Sequence, residues 1–228
     1  METERILLRP WQDSDAETLF KYASDPEVGP RAGWPPHKSV EESLEIIRNV
    51  FSAEGMWAVI WKETDEPIGC VGYLPASASN LKIAEDQAEV GYWIARPYWG
   101  KGICTEALRM VIDYCFNEKG FTMLWGDYFP SNPASGRVME KCGFVDTGEE
   151  TLCPNLEVGS DRPVKVMKFR TKLGSVLLNR RYMTLRPFTI NDAPIILSWI
   201  KDETAFRKWS ADRYPVYPPM PEDVLREQ

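Results

Sequence analysis

The hydrophobic positions of this chain switch repeatedly between a period of two and a period near 3.6, the spacings of strands and helices. "RILLRPWQDSDAETLFKYASDP" predicts a short strand ending at Arg9-Pro10, a polar turn, and a helix from about Asp13 with Asp or Ser as its N-cap. "GWPPHKSVEESLEIIRNVFSAEG" repeats the scheme with a Pro-rich loop, Ser39 as N-cap with Glu42 at capping-box spacing, and a helix carrying Leu44, Ile47 and Phe51. "MWAVIWK" and "IGCVGYLP", separated by the turn residues "ETDEP", predict a hairpin, and "DQAEVGYWIAR" a third strand. In the helix that follows, apolar positions 104, 107, 108, 111, 112 and 115 share one face, and Gly120 is its stop. "TMLWGDYF" reads as a strand, "NPASGRVMEKCG" as a short helix closed by Gly143, and "PVKVMKFR" as a final strand. This βααβββαβαβ order predicts a mixed α/β sheet covered by helices.

The opening pattern returns late in the chain. "LLRPWQDSDAETLFKYASD", Leu7 to Asp25, is matched in register by "TLRPFTINDAPIILSWIKD", Thr184 to Asp202, with Leu, Arg, Pro, Asp, Ala and the last Asp repeated. Trp11 and Tyr22 are answered by the aromatics Phe188 and Trp199. The pattern predicts a domain over 1–172, a linker over 173–182 and a partial second repeat over 183–228 that stops before any glycine motif of its own.

Composition narrows the class. No apolar run approaches the roughly 18 residues of a membrane span, and "METERILLRP" is too charged for a secretory leader, so a cytoplasmic protein with no membrane partner is expected. The five cysteines form no CxxC pair and have one histidine, His37, for company, so neither a disulfide framework nor a metal site is indicated. A net charge of -7 argues against a nucleic-acid partner. Residues 1–170 carry -9 and residues 171–228 carry +2. An anionic ligand must therefore be held by local groups, and a homodimer is left open.

One local group stands out. In "RPYWGKGICTEAL", Arg96 to Leu108, Gly100 and Gly102 flank Lys101 and lead straight into a helix. A glycine turn at a helix N-terminus offers unpaired amides and the positive end of the helix dipole, which suit phosphate. The stretch is neither GxxxxGK[ST] nor GxGxxG. A purely structural turn is the alternative.

With the opening "LLRPWQDSDAETLF", the strand "EVGYWIA" running into "YWGKGICTEAL", and the later "NPASGRVMEKCGF", residues from about Arg5 to Arg170 resemble the GNAT superfamily of acyl-CoA-dependent N-acyltransferases. Within it they are most similar to the branch that acetylates ribosomal-protein N-termini at alanine or serine. The repeat resembles the start of a second such domain. The resemblance implies a GNAT-like, mostly antiparallel sheet with helices on both faces, acetyl-CoA as cosubstrate, and a primary amine such as a protein N-terminus as acceptor. It implies that the pyrophosphate lies on the amides of Trp99, Gly100, Lys101, Gly102 and Ile103, that Val90 to Ala95 splays from its neighbour to bind pantetheine, and that Asn132 and Ser135 contact the coenzyme. Two departures are visible. Pro97 replaces the usual Gln or Arg three residues before the first glycine, with Arg96 one residue earlier. Met139 replaces the tyrosine that many members use as general acid.

The chemistry sets the remaining expectations. An amine attacks a thioester only when unprotonated, and α-amines and lysines titrate near about 8 and 10, so a base or a dry pocket is required. Glu89 in "AEVGYW" matches a carboxylate position of the family and could act through a water. A solvent-facing strand glutamate is the other reading. Ser135 could protonate or relay to the departing thiolate; a first-turn helix serine is its alternative. Backbone amides at Ile94 or its neighbour would polarise the thioester carbonyl. His37 is either an acceptor contact or a surface residue, and Trp34, Trp57 and Trp93 are either a tunnel wall or core. The expected reaction is direct transfer in a ternary complex; a non-catalytic acyl-CoA-binding or interaction module is the alternative.

Overall fold

A computed structural model describes residues 1–169 of the chain. The predicted linker and partial repeat, 173–182 and 183–228, lie outside the described residues. Strand β1 (Ile6–Arg9) is followed by a 3-10 turn at Asp13–Asp15 and α1 (Ala16–Ala23). The helices α2 (Gly29–Ala32) and α3 (Val40–Ile46) come next, and α3 runs on through a single π turn, Ile47–Phe51. Strands β2 (Met56–Trp61), β3 (Glu66–Pro75) and β4 (Gln87–Ile94) precede α4 (Ile103–Asn117). Strand β5 (Met123–Tyr128), α5 (Pro133–Cys142), β6 (Val145–Cys153) and β7 (Arg162–Phe169) complete it.

The seven strands form one sheet in the order β1-β2-β3-β4-β5-β7-β6. Only β4 and β5 pair in parallel; every other neighbour pair is antiparallel. A parallel neighbour needs a crossover, and α4 supplies it. The sheet is thus mixed and mostly antiparallel, as expected. The strand β6 was not among the predicted elements. Its sequence, "VDTGEETLC", is polar and exposed over most of its length, because it is an edge strand joined only to β7 through an irregular register between Asp146 and Glu150.

Side-chain alternation divides β4 into two faces. Tyr92 meets Ser135 of α5, so the even positions face α4 and α5. Trp93 meets Trp34, so the odd positions, Glu89 included, face α1 to α3 and the loops. The main core lies on both faces, anchored by Ile6, Leu19, Ile68, Leu108 and Leu124, each fully buried. A smaller cluster, Leu81, Cys153, Val164 and Val166 with Trp125 and Phe129, sits under β5 and β7. Among the described residues no helix is long and apolar enough to cross a membrane.

The helix starts follow the local chemistry with two refinements. Ser39 Oγ accepts from the Glu42 amide at 3.2 Å, while the Glu42 carboxylate returns to the Lys38 amide at 2.5 Å. Before α1, Asp15 accepts from the Gln12 amide and forms a two-pronged ion pair with Arg9, both bonds 2.7 Å. Asp15 is buried, so removing either partner leaves a charge without its counterpart, a loss of about 3 kcal/mol. Both members of this pair recur in the late repeat, as Arg186 and Asp192.

Candidate active site

The site is built at the one parallel joint of the sheet. Strands β4 and β5 are in register only over Gln87↔Met123, Ala88↔Leu124 and Glu89↔Trp125. Beyond that point β4 continues to Ile94 and β5 to Tyr128 without pairing, so the two strands fork. A forked pair leaves backbone groups facing a gap, and such groups need partners. Gly126 lies just past the branch point on β5, where an added Cβ would meet Met139 Sδ at 2.6 Å. Met139 is therefore a core residue packed beneath β5, which accounts for an apolar side chain where the family pattern has a tyrosine.

A cavity of about 360 Å³ opens at the end of β4, beyond the point where it parts from β5. Tyr92 and Ile94 line it from one face of β4 and Trp93 from the other, so it reaches both sides of the sheet. Gly100 and Gly102 line it at φ +74° and +77°, and a Cβ on either would meet nothing within 4 Å. The side-chain-free surface there is thus open rather than packed against protein, as a cradle for a ligand requires. Gly102 caps α4, so the first-turn amides of that helix are presented beside the cavity.

Of the expected coenzyme contacts, Ile94, Trp99, Gly100, Gly102 and Ile103 line the cavity, and Asn132 and Ser135 close it from α5. Three stand elsewhere. The Arg96 side chain pairs with Asp25 at 2.8 Å, Lys101 lies over the Tyr98 ring at 5.1 Å, and the Ala95 amide donates to the Ile68 carbonyl at 2.8 Å. These groups are held by nearer partners: a neighbouring carboxylate, an aromatic face and the β3 edge. The cations that do line the cavity are Arg31, Arg137 and Lys141. The Ile94 carbonyl accepts from the Trp99 indole at 2.5 Å, and the Asn132 side-chain amide donates to the Arg31 carbonyl at 3.0 Å. The second bond ties α2 to the start of α5. The Gly33 carbonyl, accepting from the amides of Leu156 and Glu157, ties the same segment to the loop after β6.

The two expected catalytic residues fall on opposite faces. Ser135 lines the cavity on the α5 side, where its hydroxyl donates to the Tyr92 hydroxyl at 3.1 Å. Glu89 lies on the other face at the branch point and is buried at 7 % exposure, which removes the solvent-facing reading. It accepts from Ser79 Oγ at 2.5 Å. Burial raises its pKa above the ordinary glutamate range and the charge of Asp127 adds to this, against the opposing bonds from Ser79 and the Asn80 and Leu81 amides. Burial likewise raises Asp127, which accepts from Cys153 Sγ at 3.2 Å. Glu89 is thus a stronger base than a surface carboxylate, beside a second carboxyl that the sequence did not single out.

The aromatic candidates divide. Trp93 lines the cavity and packs edge-on against Trp34 at 5.8 Å, and its buried indole N–H has no hydrogen-bond partner among the described residues. Trp57 instead packs on Tyr73 and Tyr114 in the core beside α4. His37 is half-buried with Nδ1 2.8 Å from Ser43 Oγ, and burial lowers its pKa. Sequence reasoning missed Tyr92, Arg31 and Asp127. Period-two alternation from Glu89 would have put Tyr92 on the opposite face, but nothing in the spacing ties Arg31 or Asp127 to the glycine turn.

The chain matches the family model of the Acetyltransferase (GNAT) domain over residues 5–145 and belongs to that family. It is similar to the uncharacterized N-acetyltransferase p20 of Bacillus licheniformis, 32% identical over 185 residues that cover 79% of this chain and 96% of the relative. The ribosomal-protein-S5-alanine acetyltransferase of Vibrio fischeri shares the fold at TM-score 0.59 and 23% identity, over 75% of this chain and 96% of that one. The spermidine N-acetyltransferase of Vibrio cholerae, solved with CoA and spermine, shares it at TM-score 0.58 and 19% identity, over 74% and 96%. The protein is therefore an N-acetyltransferase of the GNAT family, an enzyme rather than a binding module, and the ribosomal-protein branch read from its sequence is among its structural neighbours.

Proposed function

We propose that the enzyme binds acetyl-CoA in the fork between β4 and β5 and passes the acetyl group directly to a cationic primary amine, either a protein N-terminus or a small amine. The observation that carries this reading is the cavity that opens at the end of β4, beyond the point where it parts from β5, and reaches both faces of the sheet. Pantetheine would lie along Val90 to Ala95, and the pyrophosphate on the amides from Trp99 to Ile103, with Arg31, Arg137 and Lys141 near its charge. Glu89, which does not itself line the cavity, would take the amine's proton through a water. Ser135 would meet the departing sulfur on the other face. A second, half-buried carboxyl, Asp127, favours a positively charged acceptor approaching from the Glu89 side. The spermidine and ribosomal-protein enzymes are named for the two kinds of acceptor considered, and the fold is common to both.

The test is calorimetric titration with acetyl-CoA, ATP and NAD, followed by thiol release over a panel of spermidine, an aminoglycoside and alanine- and serine-terminated peptides. Binding of acetyl-CoA alone, with thiol release on one class of amine, is expected. Equal binding of ATP or NAD, or no binding of acetyl-CoA, overturns the reading. The division into 1–172, 173–182 and 183–228 belongs to the same proposal. Limited proteolysis of the full chain should cut first within 173–182, and first cuts inside 1–172 would refute it.

A further inference from the structure

Tyr92 had no assigned role in the sequence, yet its hydroxyl is hydrogen-bonded to Ser135. It donates to the Ser135 carbonyl at 2.8 Å and lies 3.1 Å from Ser135 Oγ, and both residues line the cavity beyond the fork. A half-buried tyrosine on the covered face of β4 thus meets the same residue of α5 twice, once at the backbone and once at the side chain. The first bond fixes where the first turn of α5 sits; the second fixes where its hydroxyl points. With Met139 packed into the core, Tyr92 brings a phenol to the cavity from the strand instead of from the helix.

We propose that Tyr92 is a positioning residue for the departing thiolate, acting through Ser135 as a chain of two hydroxyls that ends on the sulfur of coenzyme A. The inference rests on the coenzyme reading given above. A separation of 3.1 Å serves donation in either direction, and each hydroxyl hydrogen turns about one C–O bond. With coenzyme bound, Ser135 turns its hydrogen to the sulfur and Tyr92 turns its single hydrogen from the Ser135 carbonyl to Ser135 Oγ. In the transfer the amine nitrogen bonds to the acetyl carbon, the C–S bond breaks, and its electron pair stays on sulfur. The proton lost by the amine leaves on the Glu89 side, and the hydroxyl chain holds the thiolate by hydrogen bonding until it takes a proton from water after release.

Burial holds the Tyr92 hydroxyl well above the ordinary tyrosine range, so it remains a donor while the thiol ionises. The titratable groups around it are Cys104 of α4, Cys142 of α5 and Asp127 of β5. Burial raises both of those thiols, so they stay protonated to higher pH than a free thiol, and burial raises Asp127 as well.

The experiment compares the affinity of the full chain for coenzyme A and for desulpho-coenzyme A, which lacks the thiol, across about pH 7 to 10 where a thiol ionises. In the native protein the preference for coenzyme A should rise with pH, because the hydroxyl chain favours the thiolate. Tyr92→Phe should reduce that rise by roughly tenfold with desulpho-coenzyme A affinity unchanged. Ser135→Ala should do the same, and the double variant should lose no more than either alone. An unchanged rise in Tyr92→Phe, additive losses in the double variant, or a parallel loss of both affinities overturns the proposal, the last by marking a purely structural role. If neither ligand binds the native protein, the coenzyme reading itself fails and this inference falls with it.

Discussion

On one face of β4 Tyr92 and Ser135 offer hydroxyls beside Arg137 and Lys141; on the other, buried Glu89 and half-buried Asp127 lie against Ser79 and Cys153. The first face carries hydroxyls and cations, the second carboxyls. Acyl transfer from a thioester to an amine has the same asymmetry, since a cation must lose a proton on one side while an anion departs on the other. A single strand whose side chains alternate can serve both needs within four residues. The fork provides the passage between the faces, because it is where two parallel neighbours stop pairing.

Four substitutions test the contrast between the two faces. Gly102→Glu should act most strongly, placing a carboxylate in the phosphate cradle and forcing a side chain onto φ +77°; acetyl-CoA affinity measured by calorimetry should fall at least about a hundredfold. Undiminished affinity would move the pyrophosphate elsewhere. Glu89→Gln should lower turnover by about a hundredfold while acetyl-CoA binding holds. Since Glu89 acts only when ionised and its pKa is raised, native kcat/KM should fall as pH drops through a value above the ordinary glutamate range, and this limb should vanish in the variant. Retention of the limb would remove Glu89 from the mechanism.

Ser135→Ala should slow transfer about tenfold without weakening acetyl-CoA binding, and an unaltered rate in single-turnover measurements would leave the leaving group to solvent. Asp127→Asn should have the smallest effect on rate. With the neighbouring charge gone Glu89 ionises more readily, so the acid limb should move to lower pH; a move upward, or none, would show that the two carboxyls are not coupled. The same variant tests the energetics. A carboxyl whose pKa is raised on folding favours the folded state below its unfolded value, and that contribution is lost as pH rises through the folded one. Asp127→Asn should therefore raise Tm at neutral pH, with the gain disappearing in acid.

Much of this architecture was readable from local pattern. Gly100 and Gly102 announced a turn at positive φ, Ser39 a helix start, and the alternation of β2 to β4 a sheet, because each depends on neighbours in sequence. The edge strand β6 was hidden because an edge has little apolar signal, and its pairing partner β7 decides that it is a strand at all. The side chains of the charged residues near the glycine turn could not be placed from local pattern for a related reason. Arg96 and Lys101 are adjacent in sequence to the cradle, but Asp25 and Tyr98 hold them, while Arg31 reaches the cavity from another helix.

The amino-acid sequence alone thus carried the family, the order of elements short of α2 and the edge strand β6, and a phosphate-suited turn, all properties of short contiguous stretches. Only the tertiary structure decided that Glu89 is buried rather than solvated, that Asp127 shares its surroundings, and that Tyr92 meets Ser135 across 43 positions of chain. Burial, pKa and hydroxyl-to-hydroxyl contact depend on what packs from elsewhere. Those distances are set by the sheet order and the fork, which no local pattern encodes.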